Sequence, residues 1–153
     1  MARKKLPAVL EPEEAQNLLR QPNKRYPTGL RNKAMMSLML HCGLRISEVI
    51  NLRPGNINLT KGKLRVENGK GNKDRDLAIP EYLTDLFDIW RKKRPESNFF
   101  FSTLKGKKLS IRYLQQMVKR YAQKAVLSKR ISPHTLRHYV ERYIMVSVAA
   151  IVR

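Results

Sequence analysis

Four side chains in this sequence are of the types that could act on a phosphodiester: Arg45, Lys70, His134 and Arg137. A phosphodiester under attack builds negative charge on its non-bridging oxygens, and planar guanidinium forks match those oxygens better than any other side chain. Two arginines could clamp it. The oxygen that is expelled needs a proton, which a mobile lysine among positive neighbours can deliver, while an imidazole can relay a proton or hold the phosphate. In "SPHTLRHYVERY" (132–143), His134 and Arg137 stand one turn apart at the mouth of an expected helix. Each residue also has an ordinary reading. Arg45 could be a surface residue paired with Glu48, and "GKGNKDR" could be a solvated turn. His134 could cap a helix, and Arg137 could pair with Glu141 four residues on. Cys42 reads as a small buried apolar residue.

The carboxylates speak against a two-metal route, which needs several acids converging on the ions. Asp74 and Asp76 are embedded beside Lys73 and Arg75, and Asp85 and Asp88 fall on the outer side of an expected helix. No Cys/His zinc array is visible, and "GKGNK" lacks the GxxxxGK[ST] spacing of a P-loop. The expectation is no metal and no cofactor.

The elements that must position these groups run helical, then β, then helical again. Glu11-Pro12-Glu13-Glu14 opens a short helix with Ala15, Leu18 and Leu19 on its apolar face. Residues 30–42 repeat apolar side chains at helical spacing, and Gly43 ends the run. A short helix over Ile46–Leu52 follows, so Arg45 sits at a helix start. "LRPGNINL" reads as a turn. "GKLRVENGKGNKDRDLAI" reads as two strands joined by a basic, glycine-rich hairpin carrying Lys70, with Leu64 and Val66 in the first strand and Leu77 and Ile79 in the second. Pro80 opens a helix to about Arg94, and "NFFFS" is a brief extended segment. Ser110 caps a further helix with Ile111, Leu114, Met117, Val118, Tyr121 and Ala125 as its buried stripe and Arg112, Lys119, Arg120 and Lys124 outside. Ser132-Pro133 caps the last helix.

Composition gives the partner class. The 153 residues include 32 Lys and Arg against 12 Asp and Glu, a formal charge of +20 spread along the whole chain. A body so basic repels itself unless a polyanion neutralises it, which favours nucleic acid over an anionic membrane surface. The one cysteine excludes an internal disulfide and fits a reducing cytosol. No signal-peptide pattern opens the chain, and the apolar stretch "YIMVSVAAIV" is half the roughly 20 residues that span a bilayer. A cytoplasmic protein with no membrane partner and no small-molecule substrate is expected.

"GLRISEVINL" (43–52), "GKGNKDRDLAIP" (69–80) and "SPHTLRH" (132–138), in that order, resemble the catalytic domain of the tyrosine recombinases, the phage integrase and Xer-like family. The resemblance covers most of the chain. It implies an α+β, mainly helical domain with a small antiparallel sheet, and cleavage of double-stranded DNA by a tyrosine that forms a 3′-phosphotyrosine link. By motif, Arg45 and Arg137 are the two phosphate-binding arginines, Lys70 the general acid and His134 the proton-transfer partner. Glu48 and His138 fall on supporting positions, and Lys73, Arg75, Arg112, Lys119, Arg120 and Lys124 are expected to contact DNA. The resemblance also implies a tetramer on DNA for the full-length family, with a monomer expected off DNA for this chain.

The resemblance weakens from Tyr139 onward, so the expected domains are an incomplete catalytic domain over 1–138 and an atypical C-terminal helix over 139–153. Tyr139 and Tyr143 ride the same helix as Arg137 and read as packing aromatics, and no nucleophile is identified. The expectation is a truncated or altered C-terminus and a chain inactive in cleavage by itself. A non-enzymatic DNA-binding protein and a type IB topoisomerase-like fragment are the alternatives.

Overall fold

A computed structural model describes residues 9–67, 71 and 73–144. Among the described residues, six α-helices and a three-stranded antiparallel sheet follow one another in the order α1 (Pro12–Arg20), α2 (Pro27–Cys42), α3 (Ile46–Asn51), β1 (Ile57–Asn58), β2 (Lys63–Val66), β3 (Arg75–Ala78), α4 (Glu81–Lys93), α5 (Ile111–Lys124) and α6 (Pro133–Tyr139). The mainly helical α+β architecture expected from the sequence is the one observed. Among the described residues no helix is long and apolar enough to cross a membrane.

The core is organised around α2. It starts on Pro27, whose missing N–H costs nothing in a first turn, and it is buried around its whole circumference, with Leu30, Ala34, Met35, Met36, Leu38, Met39 and Leu40 nearly inaccessible. It packs against α1, α3, α4 and α6. The helix ends at Gly43, which adopts φ 72°, and a Cβ there would come within 3.3 Å of Val140 Cγ1. Glycine is therefore needed twice over: for the left-handed turn and for the close approach of the segment after α6. That turn delivers Arg45 to the start of α3.

Buried polar groups tie distant segments to this core. Arg31 on α2, 3% exposed, donates to the Ser102 carbonyl at 3.0 Å, to Asn32 Oδ1 at 3.1 and 2.9 Å, and to the Tyr113 hydroxyl of α5. Asn32 in turn donates to the Tyr121 hydroxyl at 3.0 Å. Trp90 of α4 donates its indole N–H to the Phe100 carbonyl at 2.9 Å, and Arg94 donates to the carbonyls of Ser97, Phe99 and Phe100. The "NFFFS" segment, expected to be extended, is thus a bend pinned by the end of α4, with Ser102 bridging to Lys108.

The strand order is β1-β2-β3, with Leu64 opposite Leu77 and Val66 opposite Arg75. Leu64 and Val66 face the core, as their alternation requires, while Arg65 on the other face bridges Asp74 and Asp76. Two further details differ from expectation. "LRPGNINL" is not only a turn: after a 3₁₀ turn at Pro54–Asn56, residues Ile57–Asn58 add the third strand, too short to show any periodicity. Ile111, expected inside, is 47% exposed, because it is the first residue of α5 and the buried stripe begins one turn later at Leu114.

Candidate functional site

Ser132 Oγ accepts the Thr135 N–H and Pro133 occupies the first turn, so α6 starts where its capping residues dictate. Leu136 is buried, which leaves Arg137 half-buried and His134 exposed. After Tyr139 the chain continues as a π-helical turn over Val140–Ile144, with Val140 buried against Gly43.

This packing brings the two expected arginines to one place. Arg45, at the start of α3, and Arg137, on α6, line a single cleft of about 480 Å³ together with Lys73 and Asp74 from the β2–β3 connection, Arg75 at the start of β3, and Glu141. Four cationic side chains from three parts of the chain thus face one concavity, and it is wide enough for a phosphate group. Lys70 lies outside the described residues. His134 does not line this cleft. It lines a neighbouring cavity of about 470 Å³ whose wall includes Ile46, next in sequence to Arg45, along with Lys119 of α5 and Lys129 and Arg130 of the loop before α6. Arg112, Lys119, Arg120 and Lys124 are all exposed on the outer face of α5.

Glu48 has a different partner from the one its sequence position suggests. Its carboxylate, 6% exposed, accepts both ends of the Arg75 guanidinium at 2.6 and 3.0 Å, and accepts the backbone N–H of Arg45 at 2.8 Å. Burial pushes the Glu48 carboxyl up, but the Arg75 fork and the Arg45 N–H more than offset this and hold it below the usual carboxylate range. The same fork raises Arg75. One buried acid therefore fixes the turn that presents Arg45 and ties it to β3. Arg75, expected among the DNA contacts, is occupied in this bridge, and its side chain remains 37% exposed to the cleft. Because Arg75 and Glu48 are 27 residues apart, no local pattern links them.

The two histidines of the "HTLRH" motif meet. Nε2 of His138 lies 2.8 Å from Nε2 of His134, and Nδ1 of His138 lies 3.3 Å from a carboxylate oxygen of Glu141. Cys42, on the cleft wall, has its thiol pushed up to about 12 by burial, so it is an uncharged and unreactive lining residue. Among the described residues, no group of three or more His, Cys, Asp or Glu side chains is arranged to hold a metal ion.

All six tyrosines of the chain are described. Tyr113 and Tyr121 are bonded into the Arg31–Asn32 network, and Tyr26 precedes α2. Tyr82 packs edge-on against His41, with its hydroxyl raised by burial and then by the neighbouring Cys42 and Tyr139. The Tyr139 hydroxyl is raised by burial and then by Tyr143. Tyr143 donates to Glu11 at 2.8 Å, and that bond is the largest cause of its raised pKa. No tyrosine lines the arginine cleft.

The family model for the phage integrase family matches residues 8–147. Tyrosine recombinase XerD of Staphylococcus epidermidis is 37% identical over 142 residues, a match covering 88% of this chain and 48% of that protein. The chain thus spans about half the length of the curated relatives it matches. Among solved structures, XerA recombinase superposes with a TM-score of 0.81 at 22% identity, covering 95% of this chain and 53% of that one. XerH site-specific recombinase, in a pre-cleavage complex with its difH substrate, gives a TM-score of 0.72 at 25% identity, covering 94% of this chain and 46% of that one. With these matches spanning the cleft, the sheet and every helix around them, the chain belongs to the phage integrase family.

Proposed function

We propose that this chain is the DNA-gripping catalytic region of a site-specific tyrosine recombinase, and that its arginine cleft receives the scissile phosphate of double-stranded DNA. The observation that carries the proposal is the shared cleft of Arg45 and Arg137, brought together from separate elements and enlarged by Lys73 and Arg75. In this reading the two guanidinium forks bind the non-bridging oxygens, Glu48 positions Arg45 through its backbone, and Lys70 supplies the proton to the leaving oxygen. His134 borders the same phosphate from the adjoining cavity. Lys119 and Arg130 continue the positive surface there and would hold the neighbouring phosphates of one strand, while Lys129 beside them is paired with Glu14 at 2.7 Å. The charge of +20 supplies the general attraction to DNA. The bound difH substrate of XerH supports the same partner class for a chain that shares its family and fold.

The parent activity in this proposal is strand cleavage and rejoining through a 3′-phosphotyrosine, in a tetramer on paired DNA sites in the cytoplasm. For the polypeptide of this sequence by itself, we propose DNA binding as a monomer without covalent attachment. Tyr113 and Tyr121 are held in the interior network, and neither they nor Tyr26, Tyr82, Tyr139 or Tyr143 line the arginine cleft.

A nicked suicide duplex tests both parts. The expected result is a salt-sensitive complex with DNA and no covalent adduct after denaturation. An adduct would overturn the inactive reading and its mapped tyrosine would name the nucleophile. Loss of DNA affinity no greater for Arg137→Ala than for a peripheral lysine change would instead favour a DNA-binding protein with no phosphate-activating site.

A further inference from the structure

The contact between His134 and His138 holds more information than proximity. Two imidazole Nε2 atoms 2.8 Å apart must share one hydrogen, because two N–H groups cannot point at each other and two bare nitrogens would repel. Which ring supplies that hydrogen is decided by the far side of His138. Its Nδ1 faces the Glu141 carboxylate at 3.3 Å, an acceptor, so Nδ1 carries a proton. A neutral His138 is then bare at Nε2, and the shared hydrogen belongs to Nε2 of His134. The neutral His134 is left with Nδ1 unprotonated.

We infer that Glu141 is a positioning residue: through His138 it fixes the tautomer of His134, so that His134 meets the phosphate site with a bare Nδ1 that can take up a proton. The role of His134 in this inference rests on the proposed function; the tautomer does not. The protons balance within the triplet. One proton sits between Glu141 and His138 and one between the two histidines, and a proton arriving at His134 Nδ1 gives an imidazolium whose Nε2–H stays on His138. The arrangement resembles in logic a carboxylate that orients a catalytic imidazole, with a second histidine inserted between them. A solvated imidazole by itself favours its proton on Nε2. In that form His138 would be the donor and His134 would have to carry its proton on Nδ1, so Glu141 is what sets the direction of the shared hydrogen. Glu141 also lines the arginine cleft, which places the acid that sets the histidine pair on the wall of the proposed phosphate site.

The test is ¹⁵N spectroscopy of histidine-labelled protein without DNA, near neutral pH. The expected result is a protonated Nδ1 on His138, a bare Nδ1 on His134, and a scalar coupling across the hydrogen bond between the two Nε2 atoms. Glu141 is exposed, so Glu141→Ala is expected to leave the fold intact and shift His138 to the Nε2–H form, so that His134 is no longer the donor in any coupling that remains. A bare Nδ1 on His138 in the unaltered protein, or a tautomer pattern unchanged in Glu141→Ala, would overturn the inference. DNA binding by Arg137→Ala, measured in parallel, separates the two failures: if that affinity drops while the tautomers disagree, the phosphate cleft stands and only the role of Glu141 falls.

Discussion

Two groups of guanidiniums in this molecule have opposite surroundings. Arg31 lies inside, 3% exposed, with a carbonyl, an amide oxygen and a tyrosine hydroxyl accepting its N–H groups. Burial lowers its pKa, partly countered by the two tyrosines beside it. Arg45, Arg75 and Arg137 line an open cleft in which the buried Glu48 carboxylate takes the Arg75 fork. The first arrangement saturates a cation with protein acceptors and serves to join α2 to α5. The second leaves cationic capacity facing solvent, as a site for an external anion must. The difference separates arginines satisfied inside the protein from arginines that line an open cleft, in a chain with 32 basic residues where residue type alone cannot.

The comparison can be broken at either end. The largest effect is expected inside. Arg31→Ala should cost about 2–4 kcal/mol of stability, because it takes the donor from the Ser102 carbonyl and from Asn32 Oδ1 and removes a buried side chain, and a urea titration would show a lowered midpoint. A loss below about 1 kcal/mol would mean that the network is incidental. At the cleft the pattern should invert. Arg137→Ala should leave the urea midpoint almost unchanged while weakening duplex binding by about 10- to 100-fold, the range for one charge-assisted contact of about 1.5–3 kcal/mol.

Glu48 joins the two behaviours, since it is buried like the Arg31 network yet holds the cleft. Its carboxyl is depressed in the folded protein, so its contribution is present above the ordinary glutamate pKa and disappears as pH falls through the lower folded value. Glu48→Gln should therefore destabilise by about 1–2 kcal/mol at neutral pH and flatten the loss of stability on acidification, read from urea midpoints across the acid range. The smallest effect concerns neither site. Val126, just past α5, has φ 55° and is 86% exposed, a conformation that strains a β-branched residue. Val126→Asn should raise stability by about 0.5–1 kcal/mol, measured by thermal unfolding, with DNA affinity unchanged.

What the sequence made legible was what is local. The apolar spacing of 30–42 and the stop at Gly43 locate α2, Ser132-Pro133 marks α6, and the alternation of Leu64 and Val66 sets the face of β2. The ordered motifs around Arg45 and Arg137 also marked the residues that the fold brings to one cleft. Contacts across long separations left no trace. Arg31 reaches Ser102 and Tyr113 across 71 and 82 residues, and nothing in "LRNKAMM" distinguishes it from a surface arginine. Glu48 was readable as an acid beside Arg45, but only tertiary packing brings Arg75 to its carboxylate and leaves Arg45 to donate through its backbone. The β1 strand of two residues is too short to carry a period, and its pairing with β2 comes from the 3₁₀ turn that precedes it.

The central claim is that Arg45 and Arg137 grip one phosphate together, and a double-mutant cycle on duplex DNA affinity tests it most directly. Arg45→Ala, Arg137→Ala and the double variant should show a coupling of about 1 kcal/mol or more, with the second loss much smaller once the first arginine is gone. Strictly additive losses would contradict the account, since two arginines on separate phosphates would act independently.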